Sequence, residues 1–190
     1  GMLVLNGVKT GGSGITVGAV GALAGTGSTE ESVTNNGGAI VPGDPISNPT
    51  AKLTIGSSIF NSGRVLLDAD SSSGFVAVNG NLALNGTVTI QLTSQNGFSG
   101  LTSGQHIVVI QYSGSLSGGL VNLALGSLPN GITGSLIDPA TTPGTIQVSV
   151  DHVPQPLTWQ GFTPGSRTLW TVSGPTNWMN ANASVPAQFP

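Results

Sequence analysis

Apolar residues in the middle of the chain keep two beats, a short one inside each run and a long one between runs. Residues 53–71, LTIGSSIFNSGRVLLDADS, return 23 positions later as residues 76–94, VAVNGNLALNGTVTIQLTS. Leu53, Ile55, Ile59, Val65 and Leu67 thereby fall on Val76, Val78, Leu82, Val88 and Ile90. Within the second copy, Val76/Val78, Leu82/Leu84 and Val88/Ile90/Leu92 alternate with small or polar residues such as Ala77, Ala83, Thr87, Thr89 and Gln91. Period-two alternation is the signature of a strand with one buried face. A unit this short cannot bury its own apolar face and has to stack on its neighbours. The turn residues repeat as well: Gly74, Gly80 and Gly86 are six apart, and Asn79 and Asn85 precede the last two. The pattern predicts an all-β chain, a β-solenoid with three short strands per coil, its Asn-Gly corners supplying positive φ angles. An Asn-Gly pair is also a hairpin signal, but a hairpin does not explain the 23-residue echo.

On either side the pattern weakens or changes. Residues 2–50 carry thinner runs at Leu3/Leu5, Ile15/Val17, Ala22/Leu23, Val33 and Ala39/Ile40, and ITVGAVGALAGTG aligns with SVTNNGGAIVPGD at a shift of about 18 residues. Residues 1–97 therefore read as coils of variable length. In residues 98–150, His106–Tyr112 (HIVVIQY) is apolar on both faces and predicts a fully buried strand, whereas Thr145–Val150 alternates with Ile146, Val148 and Val150 on one side. Residues 98–150 are expected to form a β-rich cap, because the open end of stacked strands exposes unpaired edges, or else a continuation of the solenoid. Residues 151–190 begin with a proline linker, DHVPQPLT, and hold all three tryptophans, Trp159, Trp170 and Trp178. They read as the start of a further unit.

Composition narrows the function. Only 6% of residues are charged, and solubility rests on Ser, Thr, Asn, Gln and 30 glycines; a globular domain usually keeps about a quarter of its residues charged. Such a surface suits an extracellular location. The net charge of −3, with Lys9, Lys52, Arg64 and Arg167 as the cations, offers no basic stripe for phosphates, so neither nucleic acid nor an anionic membrane is an expected partner. The absence of cysteine removes disulfides, thiolate metal sites and thiol nucleophiles. No apolar run approaches the roughly 20 residues that cross a bilayer, so no membrane insertion by this segment is expected. Gly1 ahead of Met2 and an ending in mid-pattern at Pro190 are those of an excised piece, with any export signal expected outside it.

Chemistry is sparse. No Gly-x-Ser-x-Gly elbow and no phosphate-binding glycine pattern with lysine occurs. His106 reads as a packed imidazole and His152 as a solvent-facing one, neither with a second ligand at metal spacing. Arg64, Asp68 and Asp70 share strand parity opposite to Val65, Leu67 and Ala69, and are expected to project outward together. Two carboxylates and an arginine could bind calcium or work on an acidic polysaccharide. One coil on, however, stand Thr87, Gln91 and Thr93, which supply no third carboxylate, so a solvated face is the preferred reading. The tryptophans could form a sugar-stacking platform, but packing a small β motif is the more economical account. No catalytic residue, metal site or cofactor is expected.

Taken in order, the segments ITVGAVGALAGTG, GGAIVPGDPISNPTAKLTI, VAVNGNLALNGTVTIQL and FSGLTSGQHIVVI, then the unit of Trp159, Trp170 and Asn177-Trp178, resemble the autotransporter-associated β-strand repeat proteins of bacterial surfaces. The likeness covers most of the chain. It departs at Pro45 and Pro49, which interrupt the stretch after Pro42-Gly43, and at SSSGFVAVNG, which lacks an acidic residue often found at the corresponding strand. The resemblance implies a passenger-type, right-handed parallel β-helix at a bacterial cell surface or secreted from it, and a non-catalytic, adhesin-like structural role, with surface glycans or other extracellular polymers as partners. A polysaccharide-binding or polysaccharide-degrading β-helix is the alternative.

Overall fold

The computed structural model describes residues 1–43, 51–69, 74–94, 98, 100–128, 131–154, 157–159, 178–180 and 186–187. The chain divides into two compact units, Gly1–Val153 and Pro154–Pro190. Among its described residues, the regular structure of the first is strand apart from one short 3-10 turn at Leu120–Asn122.

Strands of the first unit fall into two sheets. The nine-stranded sheet is parallel throughout. Its spine runs β1 (Met2–Val4), β4 (Ala22–Gly25), β6 (Val33–Pro42), β8 (Ser58–Asp68), β10 (Leu82–Leu84) and β13 (Leu116–Ser117). In the same sheet β3 (Ile15–Gly18) pairs with β6, and β11 (Val88–Thr93) lies between β8 and β14 (Leu123–Leu125). The seven-stranded sheet is mixed. It runs β2 (Val8–Lys9), β5 (Ser28–Thr29), β7 (Leu53–Ile55), β9 (Val76–Val78), β12 (His106–Tyr112), β16 (Thr145–His152) and β15 (Thr133–Leu136). Pairing is parallel from β2 to β12, then antiparallel at β12–β16 and β16–β15.

The expected right-handed parallel β-helix with three short strands per coil is corrected by this arrangement: the chain forms two sheets, one parallel and one mixed. Two causes are visible. β6 and β8 run for 10 and 11 residues through the point where a second and a third strand were expected to part. Backbone irregularities, not breaks, take up the bend, since the β6–β8 register shifts at Asn35/Asn36 and Asn36/Ala39. Gly37 sits there at φ 94°, a value that disfavours any side chain with a Cβ. Asn35 is buried beside it, its Nδ2 donating to Gly38 O at 3.1 Å and its Oδ1 accepting from Gly38 N at 2.8 Å, so its amide is satisfied. The second cause is the reversal of direction after β12.

The long repeat is real but elastic. Leu53 pairs with Val76 and Ile55 with Val78, at the 23-residue spacing of the sequence. One strand later the partners are Ser58 with Leu82 and Phe60 with Leu84, a spacing of 24; then Val65 with Ile90 and Leu67 with Leu92, a spacing of 25. The slip by one residue exchanges faces: Ile59, matched to Leu82 in the sequence, is 38% exposed, and Phe60 is fully buried. Ser58 takes the other inward place and donates from Oγ to Val33 O at 3.3 Å. A second slip restores parity, which is why Val65, Leu67, Ile90 and Leu92 are all buried. In the N-terminal part, Ile15 pairs with Val33 at the expected shift of 18, and Leu23 with Ile40 at 17.

Corners differ from expectation in one respect. Gly80 and Gly86 are absent from the positive-φ glycines among the described residues. A Cβ on Gly86 would instead strike the carbonyl oxygen of Asn61, and one on Gly80 the Oγ of Ser57. These glycines serve the close approach of successive turns. The core between the sheets holds Leu23, Ile40, Leu53, Ile55, Phe60, Val65, Val76, Val88, Ile90, Ile107, Ile110, Ile146 and Val148, all buried. In β12 the fully buried expectation is corrected at both ends: His106 and Gln111 are exposed, while a bulge between Val108 and Ile110 lets Val109 and Ile110 both turn inward. β16 alternates as expected, with Ile146, Val148 and Val150 buried.

The second unit contains an antiparallel three-stranded sheet, β17 (Leu157–Trp159), β18 (Trp178–Asn180) and β19 (Pro186–Ala187).

Candidate functional site

Arg64, Asp68 and Asp70 were the sequence's candidate cluster. The strand β8 places Arg64 in register with Ala39, which is buried, and with Thr89, which is half-buried, and Arg64 itself is exposed. Asp68 is only 7% exposed and follows Leu67 inward, with Ala69 buried after it. Alternation ends at the last residue of β8, so Arg64 and Asp68 do not share an open face. Asp68 stands in register with Thr93, whose Oγ1 donates to Leu67 O at 3.1 Å, and Thr93 O accepts from Ala69 N at 2.8 Å. Asp70 lies outside the described residues. Among the described residues no three of His, Cys, Asp or Glu converge as metal ligands would.

Trp159 and Trp178 occupy directly opposite register positions on β17 and β18, and Trp178 is also opposite Ala187 on β19. Trp170 lies outside the described residues. His152 is exposed, as its proline-linker setting suggested; His106 is exposed too, which corrects the packed imidazole expected of it. It begins β12, where the strand's outward parity faces solvent.

The structure adds a cleft that the sequence did not announce. About 330 Å³ of space opens between the end of β12 and the loop that precedes β16, lined by Tyr112, Leu116, Gly118, Asp138, Pro139 and Pro143. Asp138 is its carboxylate, with Oδ1 accepting from Ala140 N at 2.9 Å to close its own turn. Tyr112 and Pro139 are buried, so what the cleft exposes is Pro143, glycine backbone and the Asp138 carboxylate, groups that suit the apolar face and hydroxyls of a sugar ring. They do not make a hydrolytic pair, which needs two carboxyl groups across the scissile bond. No linear motif marks this cleft, because Tyr112 and Asp138 come from separate segments.

Set against known proteins, the chain matches no family model, no curated protein and no solved structure. The likeness to autotransporter-associated repeats therefore rests on the residues that carry it.

Proposed function

We propose that this chain is a non-catalytic structural segment of a secreted or surface-displayed bacterial protein, adhesin-like in role. The observation that carries this reading is the parallel stacking of strands from β1 to β13 in a chain of which only 6% of residues are charged. A stack of this kind has a large surface for its core and few charges to attract small ionic substrates. Its partners are surface glycans or other extracellular polymers, met through hydrogen bonds and shallow apolar contacts. The experiment is adhesion of beads coated with the whole chain to immobilised glycans, run beside assays for reducing or unsaturated ends. Bead capture without product supports the structural reading. Release of product overturns it.

The cleft at Tyr112 and Asp138 favours a narrower second reading, polysaccharide binding at a defined site. Asp138→Asn keeps a side chain able to close the turn while removing the charge. If binding to a polymer panel falls for that variant alone, and not for Arg64→Ala, the cleft is the site.

A further inference from the structure

Three asparagines form a column on the outer corner of the nine-stranded sheet. Asn61 Nδ2 donates to Asn36 Oδ1 at 2.8 Å, and Asn85 Nδ2 donates to Asn61 Oδ1 at 2.9 Å. All three are exposed, so the column is not needed to satisfy buried polar groups. Two of the three, Asn36 and Asn85, are followed by glycine, and Asn61 by serine.

Asn-Gly is the sequence at which an asparagine most easily loses its amide. The glycine nitrogen attacks the asparagine Cγ unhindered by a Cβ. The new N–Cγ bond closes a succinimide, the Cγ–Nδ2 bond breaks, and Nδ2 leaves as ammonia with the proton from the glycine nitrogen. Water then opens the ring to aspartate or isoaspartate. The side chain has to swing onto its own backbone for this. In the column Oδ1 of Asn36 and Nδ2 of Asn85 are both directed to a neighbouring turn instead.

We infer that Asn36-Gly37 and Asn85-Gly86 are deamidation sites held back by Asn61 between them, whose hydrogen bonds keep both side chains away from their own backbone. Asn79-Gly80 is the internal reference, because Asn79 is exposed and its side chain has no hydrogen-bond partner among the described residues. The column also has a direction, each Nδ2 donating toward the preceding turn. A carboxylate at 36 still accepts from Asn61, whereas one at 85 sets acceptor against acceptor, since ionised Asp only accepts.

The test is incubation of the whole chain at mildly alkaline pH, with peptide mapping of aspartate and isoaspartate at each Asn-Gly. Asn79 is expected to convert faster than Asn36 and Asn85 by roughly two- to tenfold, the factor one net hydrogen bond supplies. Asn61→Ala should bring both latched sites to the rate of Asn79. Asn61→Asp, which still accepts from Asn85 but no longer donates to Asn36, should release Asn36 and leave Asn85 slow. Equal rates at all three sites in the unaltered chain overturn the inference. So does an acceleration in either variant that includes Asn79, since that reports general loosening and not an opened latch.

Discussion

The first turn and the central turns carry the same kind of residues and meet opposite fates. Met2-Leu3-Val4 in β1 and Val76-Ala77-Val78 in β9 are both short apolar strands, yet Leu3 is 52% exposed and Val76 is fully buried. Their pairing explains it. β9 lies between β7 and β12, whereas β1, among the described residues, pairs with β4 alone. Leu23, on β4 between Leu3 and Ile40, is fully buried; Leu3, one strand further out, is not. Burial here belongs to a position in the stack and not to a residue type. The far end of the seven-stranded sheet shows the alternative treatment of an edge. There β16 and β15 turn antiparallel, and β15 carries the polar Thr133 and Ser135. A polar, alternating edge strand is one recognised way to blunt edge pairing.

The largest expected effect separates the centre from its own outer face. Val88→Asp should abolish the folded state, because burying an aliphatic side chain is worth about 1.5–3 kcal/mol and the desolvated carboxylate adds a cost of at least similar size. Thr89→Asp, its half-buried outward neighbour, should lower the denaturant midpoint only slightly. Equal losses from the two would break the account in which Val88, in register with Gly63 and Leu123, faces inward with Ile90.

The register slip supplies the second contrast. Phe60→Ala should cost about 3–5 kcal/mol, as large-to-small changes in a core do, while Ile59→Ala should stay within about 1 kcal/mol. A simple 23-residue repeat predicts the reverse order. Urea unfolding of the two variants decides it.

That slip also shows how far the sequence was legible. Alternation identified Val76, Val78, Leu84, Val88, Ile90 and Val148 as inward residues, and all are buried. It could not show that the spacing grows from 23 to 25, because an extra residue at a corner leaves the residue pattern of each strand intact. Nor could it separate three short strands from two longer ones: β6 and β8 run on through Gly37 and Gly63. The candidate site was less legible. Parity placed Arg64 outward, and it is exposed, but the same rule fails at Asp68, where the strand ends and Leu67, Asp68 and Ala69 are buried in succession. Tyr112 and Asp138 share a cleft only because β12 and the loop before β16 meet, a contact that no local pattern encodes.

Asp68 and Arg64 give the third contrast. An outward pair would tolerate alanine equally. With Asp68 buried, Asp68→Ala should cost about 1–3 kcal/mol, the range for a buried polar partnership undone, and Arg64→Ala should change stability by no more than about 0.5 kcal/mol. Thermal unfolding with and without added calcium sharpens the comparison. No calcium-dependent rise in Tm is expected, and a rise abolished by Asp68→Ala would restore the binding reading through linkage.

The smallest expected effect returns to the exposed edge. Val8 in β2 is 74% exposed and pairs with Ser28 on one side alone. Its only charged neighbour in the strand, Lys9, directs Nζ to Gly11 O at 2.9 Å and Ser13 O at 3.4 Å, so it is engaged with its own loop. Val8→Asp therefore places a carboxylate in water, with no cavity opened and no buried group stranded. Stability should move by no more than about 0.5 kcal/mol, against global unfolding for the chemically identical change at Val88. Denaturant titration of the two variants at one protein concentration measures the difference. A loss at Val8 approaching that at Val88 would mean that the edge is covered in solution, and that the contrast between first and central turns is not one of exposure.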